Sequence, residues 1–263
     1  LGRGGTLGCM ATFGGARLTG AEWTRYHSDS GFGSLPRFGL DLLEDSAGWV
    51  WFNRYSHALG RIRLSDGLEE IITADGVFII RMAEDAFGNR WFGKDGQGLD
   101  CFTAGDEWLH FDSGDASLPG MVIDGLAPLT GNRIAFLFRG VGLRIWDHRG
   151  SLDSFGDDLW WTALDNDGLL ESDTQFSSLT HDGQGGLWIG QTNGLVRVIP
   201  DGGGYTARAR LGAKSNFTDG LLSSTVNDVV ADHDGGAWVA TSLGLARVNL
   251  DIVFEDNVEY WNW

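Results

Sequence analysis

The chain has 263 residues, of which 36 are Asp or Glu and 19 are Lys or Arg, a formal net charge of −17. A field of that sign repels polyanions, so nucleic acid is a poor partner. The 42% apolar content supplies a packed core and argues against disorder, and no apolar run approaches the roughly 18 residues that span a bilayer, so this segment is not expected to insert in a membrane. Glycine, at 41 residues, is about twice its usual share, alongside 12 tryptophans and 4 prolines. Cys9 and Cys101 lack metal or redox spacing and are expected to be buried as small apolar residues. The first residue is Leu1 rather than Met, as expected of a processed product or of part of a longer protein.

Taken in chain order, residues 1–34 read as a partial unit. A strand is expected near Cys9, another at 16–19 and another at 23–27. The next unit, about 35–76, contains Asp45, Gly48 and Trp51, followed by the apolar-polar run Gly60-Arg61-Ile62-Arg63-Leu64. The unit at about 77–117 repeats it as Asp85, Gly88 and Trp91. Its four short runs, Phe78-Ile79-Ile80-Arg81-Met82, Trp91-Phe92-Gly93, Leu99-Asp100-Cys101-Phe102 and Glu107-Trp108-Leu109-His110-Phe111, alternate with period two and are separated by Gly and Asp. Four strands per repeat are therefore expected. The unit at about 118–172 is degenerate: Pro128, Gly131 and Ile134 occupy the acid, glycine and tryptophan positions, and an insertion follows at 151–158. Asp182, Gly185 and Trp188, then Asp232, Gly235 and Trp238, mark the units at about 173–222 and 223–263. Repeats of this length, each with four short strands, point to one all-β domain over 1–263, a β-propeller of four-stranded blades. About six blades are visible, as part of a seven-bladed ring. The Asp-x-x-Gly element is expected to be the hairpin between the first two strands, with Asp accepting backbone hydrogen bonds, Gly at positive φ, and Trp filling the space between blades.

At these residues the chain resembles the two-component regulator propeller repeats, whose pattern is acid-x-x-Gly-x-Leu-Trp-Ile-Gly-Thr-x-x-Gly-Leu. The runs Asp182 to Leu195 and Asp232 to Leu245 match it, and Asp219-Gly220-Leu221-Leu222-Ser223-Ser224 resembles the family's lead into a first strand. Such repeats occur in extracytoplasmic sensor regions of hybrid histidine kinases and in secretion-associated or surface proteins. The resemblance implies a recognition surface without naming a ligand, because the motif marks turns and core positions.

Candidate ligand-binding residues follow from register. Arg54, His57, Lys94, Asp95, Arg139 and Gln191 fall in or beside loops after second strands, where a basic and polar set suits an anionic or sugar-like ligand; the plain alternative is solvated loop. Trp160 and Trp161 follow the insertion and form an aromatic cluster, a stacking platform or else inter-blade core. No metal is expected. The calcium candidate, Asp165, Asp167 and Glu171, departs from the EF-hand spacing, and a linker turn is expected there. Six histidines are scattered singly, and neither a nucleophile elbow, a Walker A loop nor a His-Glu-x-x-His helix occurs. The expected protein is thus a non-enzymatic propeller, periplasmic or extracellular, without cofactor. It binds an unidentified ligand or protein as the sensor-type domain of a two-component signalling protein. Two alternatives remain: an accessory subunit docking into a larger surface assembly through an open blade edge or its aromatic C-terminus, and a propeller lyase or hydrolase.

Overall fold

The computed structural model describes residues 7–11, 14–19, 22–26, 41–54, 58–73, 78–112, 118–163, 169–170, 176–212, 220–232, 236–249 and 258–261, with the strands at 7–26 and 258–261 as backbone. Every element among them is a strand, and no helix is long and apolar enough to cross a membrane. The chain divides into two compact units, Leu1–Ile123 and Asp124–Trp263.

The first unit opens with a three-stranded sheet, β1 (Leu7–Ala11), β2 (Gly14–Thr19) and β3 (Glu22–Tyr26). Two four-stranded sheets follow: β4 (Leu42–Glu44), β5 (Trp49–Arg54), β6 (Ala58–Arg63) and β7 (Glu69–Thr73), then β8 (Ile79–Glu84), β9 (Arg90–Lys94), β10 (Leu99–Phe102) and β11 (Trp108–Phe111). Three more make up the rest of the chain: β12 (Ile123–Pro128) to β15 (Leu159–Thr162) through β13 (Arg133–Phe138) and β14 (Gly142–Asp147); β16 (Phe176–His181), β17 (Leu187–Gln191), β18 (Gly194–Asp201) and β19 (Gly204–Leu211); and β20 (Val226–Ala231), β21 (Ala237–Thr241), β22 (Gly244–Val248) and β23 (Val258–Trp261). All pair antiparallel in sequence order, the meander of a propeller blade. The described residues form five four-stranded blades, not six or seven; the N-terminal sheet stops at three strands.

The repeated aspartate makes the first hairpin. Oδ1 of Asp45 accepts the backbone N–H groups of Ala47 (3.0 Å) and Trp49 (2.9 Å), Oδ1 of Asp85 those of Phe87 and Asn89 (both 2.9 Å), and Oδ1 of Asp182 those of Gln184 and Gly186 (both 2.8 Å). The chain can close this way because Gly48, Gly88 and Gly185 sit at φ of +82°, +83° and +95°, a region costly for residues with a Cβ. The second carboxylate oxygen is used in one of two ways. In the first unit it accepts an indole N–H, Trp51 Nε1 at 2.8 Å from Asp45 and Trp91 Nε1 at 2.9 Å from Asp85. In the second unit it binds an arginine from the third strand that also covers the indole: Arg197 to Asp182 at 3.1 Å over Trp188, and Arg247 to Asp232 at 2.5 Å over Trp238. Trp91 lies opposite Cys101, which has no charge to lend. Trp51 lies opposite Arg61, but Glu70 holds that guanidinium at 2.6 Å. In both blades the indole is left to donate.

Apolar side chains of neighbouring blades interlock between the sheets. Trp51 and Leu59 pack on Ile79, Met82, Phe92 and Phe102, while Leu137, Leu143 and Ile145 pack on Leu187, Ile189 and Val196. Trp188 and Leu195 pack on Val226, Val229 and Val239. Bulges in β8, β16 and β20 interrupt first-strand pairing at the residue after Ile79, Phe176 and Val226. Backbone N–H groups beyond them turn to the preceding blade: Met82 donates to Asp41 Oδ2 (2.7 Å), and Val229 donates to Ser178 Oγ (3.1 Å). Asp41 and Ser178 occupy one template position, ten residues before Trp51 and Trp188.

The degenerate blade is out of step with its motif. Leu143 pairs Leu137 and Ile145 pairs Ala135, as Leu99 pairs Gly93 and Cys101 pairs Trp91. Ala135, not Ile134, therefore fills the tryptophan position, because this hairpin holds one more residue after its glycine. An indole acceptor is still present: Trp146 Nε1 donates at 2.7 Å to Asp158, which the insertion supplies.

Two substitutions test this framework. Asp85→Ala removes acceptors from two turn N–H groups and a fully buried indole, and should lower unfolding free energy by about 2–4 kcal/mol, read from the urea midpoint, with Asp85→Asn costing less. At Gly190 an added Cβ would lie 2.7 Å from Val226 Cγ1 and 2.6 Å from Ser177 Oγ, so Gly190→Ala should cost about 1–3 kcal/mol through overpacking; an unchanged melting temperature would show that the blades can part there.

Candidate functional site

Lys94 ends β9, and the hairpin after it closes through Lys94 N–H to Gly98 O at 3.0 Å. Across three strands Phe92 pairs Asp100, and Asp100 pairs His110. Side chains two apart share a sheet face, so Lys94, Asp100 and His110 meet on the face turned to the β4–β7 blade, where Trp51 contacts Phe92 and Phe102. Lys94 Nζ donates to Asp100 Oδ1 at 2.7 Å. His110 Nδ1 lies 2.5 Å from the same oxygen and 2.9 Å from Nζ. Nδ1 thus faces both a carboxylate oxygen, which calls for a proton on Nδ1, and an ammonium, which calls for its lone pair. The ammonium is buried, with 3% of its side chain exposed, while His110 is 54% exposed. The charged core of the cluster thus orients an imidazole at the surface.

Trp108, two residues before His110 on β11, lies on the same face. Its ring packs against Phe92 at 5.5 Å and Phe102 at 5.0 Å and is 41% exposed. Phe102 lies in turn beneath the Arg61 guanidinium, 5.8 Å away, which Glu70 neutralises.

The other expected site residues are placed differently. Arg54 ends β5, paired with Ala58, and His57 lies outside the described residues, as do Asp165, Asp167 and Glu171. Among the described residues no group of three His, Cys, Asp or Glu is placed to hold a metal ion. Asp95 is exposed, and its backbone N–H is bonded to Phe78 O at 2.9 Å. Arg139 forms a two-bond pair with buried Asp124, at 3.0 and 2.6 Å. Gln191 is fully buried and donates to Leu169 O at 3.2 Å, an acceptor shared with Arg210 at 2.9 Å. Lys94, Gln191 and Thr241 hold one template position, the end of the second strand, and all three are buried because that position points between blades rather than into the loop. Trp160 is stacked on Trp146, centroids 5.7 Å apart and 8° from parallel, and also touches Phe136 and Phe138; Trp161, on the opposite face, packs against the core shared with β16–β19. Both are partly covered.

Asp100, Trp108 and His110 are not among the site residues expected from the sequence. A signal was present: Asp100 stands where Val196 and Ala246 occupy the corresponding third-strand position, both fully buried. An acid where β18 and β22 carry apolar residues, with one of only two lysines on the adjoining strand, marks a departure from those blades.

No family model matches the chain, and no curated protein matches it. Solved structures do. PorZ, a surface component of the type-IX secretion system of Porphyromonas gingivalis, is 17% identical with a TM-score of 0.63; the likeness covers 94% of this chain and 38% of PorZ. A streptogramin B lyase is 13% identical at a TM-score of 0.62, covering 96% of this chain and 76% of the lyase. A gluconolactonase of Xanthomonas campestris is 12% identical at 0.58, covering 86% and 76%. These likenesses show the fold, a β-propeller. The chain spans well under half the length of PorZ.

One prediction concerns the insertion. Burial raises the Asp158 carboxyl above its ordinary range, against the Trp146 hydrogen bond that lowers it. The folded state therefore binds this proton more tightly than the unfolded chain, and the contribution of Asp158 to stability falls as pH rises from about 3.9 through its raised native value. The melting temperature of Asp158→Asn should lack this component, so the difference from the parent should change with pH across that window and be flat above it.

Proposed function

We propose that the chain is a non-enzymatic recognition module, the extracytoplasmic sensor-type propeller of a two-component signalling protein. One observation carries the reading: the charged groups that could drive chemistry are tied into the blades, Lys94 to Asp100, Asp124 to Arg139 and Asp182 to Arg197, whereas Trp108 and His110 are presented outward. Ion pairs anchored on buried groups of the blades fix geometry, and partly exposed aromatic and imidazole groups make contacts. The likeness to the repeats of sensor kinases, read at Asp182 to Leu195, supplies the context.

The fold is shared with PorZ, described as an essential surface component of a secretion system, and this favours a second reading, an accessory subunit of a surface assembly. The complete reading frame separates the two: a membrane-spanning helix followed by a histidine-kinase core is expected, and their absence would sink the sensor. Assays with glucono-lactone and with streptogramin B should show no turnover above buffer; turnover lost in His110→Ala would make the protein an enzyme.

A further inference from the structure

We propose that residues 151–158 are a proton-operated strap, seated on the β12–β15 blade while Asp158 carries a proton and released from it when Asp158 ionises. The device is independent of what the module binds.

The strap is the insertion between β14 and β15. It leaves the blade through Arg149 and Gly150, at φ of +52° and +90°, a region unfavourable for arginine. Arg149 N–H to Asp147 Oδ1 at 3.0 Å and Ser151 N–H to His148 O at 2.9 Å close this turn. Asp153, Ser154, Gly156 and Asp157 are exposed. The far end is fixed differently. Asp158 turns inward, and its Oδ2 accepts the indole N–H of the fully buried Trp146 at 2.7 Å. Trp146 stacks in turn on Trp160, so this bond joins the strap to the aromatic layer of the blade.

The setting is hostile to a carboxylate. Asp158 Oδ1 is buried and meets no donor among the described residues. Burial disfavours the charged form most, and the acids Asp157, next in the chain, and Asp147, on β14, act in the same direction. The bases nearby are otherwise engaged: Arg149 lies 3.9 Å from Asp147, and Arg133 lies across the ladder from the same residue. His148, buried with its ring 5.5 Å from that of Trp146, supplies an opposing charge when it is itself protonated. A buried anion with one oxygen lacking a donor costs more than the neutral acid, and water offers donors to both oxygens. Ionisation is therefore relieved by moving Asp158 to solvent. The path is short, because the chain just before it is exposed. That movement takes the acceptor from Trp146 and opens the edge of the Trp146–Trp160 stack. The seated strap binds the proton more tightly than the released one, so it is closed at low pH and opens as pH rises.

The test follows the whole 263-residue chain by NMR from about pH 4.5 to about pH 8. Three signals are read: exchange protection of the Trp146 indole N–H, corrected for its intrinsic rate at each pH, the heteronuclear NOE of residues 151–158, and the Asp158 carboxyl carbon shift. Indole protection should fall about threefold or more, tenfold for each unit by which release lowers the carboxyl pKa. The NOE of the strap should drop in the same step, while β13 and β14 keep theirs. Asp158→Asn retains an acceptor that cannot ionise, so the strap should stay seated throughout, whereas Asp158→Ala should free it at every pH. His148→Gln should leave the step in place. Indole protection and NOE that stay flat in the folded parent overturn the proposal, as does a step that survives in Asp158→Asn. A step lost in His148→Gln assigns the response to the histidine and overturns it as well. Should Asp158→Asn fail to fold, the parent still decides: a carboxyl carbon that does not titrate together with the indole step refutes the strap.

Discussion

A buried carboxylate at the first hairpin is the constraint on which each regular blade depends. One oxygen gathers the N–H groups of a tight turn whose backbone would otherwise be unsatisfied, and the other reaches into the blade to an indole or an arginine. A single residue thereby sets the turn, the start of the second strand and the orientation of the largest side chain between blades. The charge is tolerated at low exposure because it accepts several hydrogen bonds at once. Before β13 the acid is missing and Ala135 holds the tryptophan position; the insertion there brings a different carboxylate, Asp158, to the indole of Trp146 on the third strand.

The two uses of the second oxygen show how a repeat stays regular while its chemistry drifts. The register from hairpin to third strand is the same in β5–β6, β9–β10, β17–β18 and β21–β22, so Leu59, Leu99, Leu195 and Leu245 take equivalent places. What varies is the residue opposite the tryptophan: Arg61, Cys101, Arg197 and Arg247. The aspartate's second oxygen goes to the indole opposite Arg61 and Cys101 and to the guanidinium at Arg197 and Arg247, and Arg61, Arg197 and Arg247 each place a cation over the ring. Between blades, the first-strand bulges release N–H groups that Asp41 and Ser178 capture, so adjacent sheets are joined by polar bonds as well as by apolar packing.

Against that uniform frame, departures stand out. Asp100 is an acid where β18 and β22 carry Val196 and Ala246 and the decayed β14 carries Arg144, and it is tolerated because Lys94 ends the neighbouring strand and His110 lies directly across. Lys94 Nζ and His110 Nδ1 both lie within hydrogen-bond distance of one Asp100 oxygen and of each other, and the imidazole remains 54% exposed. A blade position evolved for packing is thereby converted into one that presents a polar group beside an exposed ring. Arg139 with Asp124 is a second departure, in the blade whose motif has decayed.

Much of this was legible in the sequence. The Asp, Gly and Trp spacing determined the four-stranded repeat, the hairpin geometry and the burial of the indoles, because turns and period-two strands are local and their chemistry recurs at fixed offsets. Counting was less secure: one extra residue after Gly131 moved the decayed copy out of step, and the described blades of four strands number five rather than about six. The side chains at the ends of second strands could not be placed from the sequence. Lys94 and Gln191 read as loop residues available to a ligand, yet they are buried and bonded, since a shift of one strand position turns a side chain from solvent to the space between blades. Of the two readings for Trp160 and Trp161, platform or inter-blade core, the structure places them against neighbouring rings and core, while Trp108, unremarkable in the sequence, is the most exposed indole among the described residues. The sequence by itself determined the blade. Only the tertiary structure decided which aromatic ring and which histidine face the solvent, because exposure depends on what the next blade covers and local spacing does not record it.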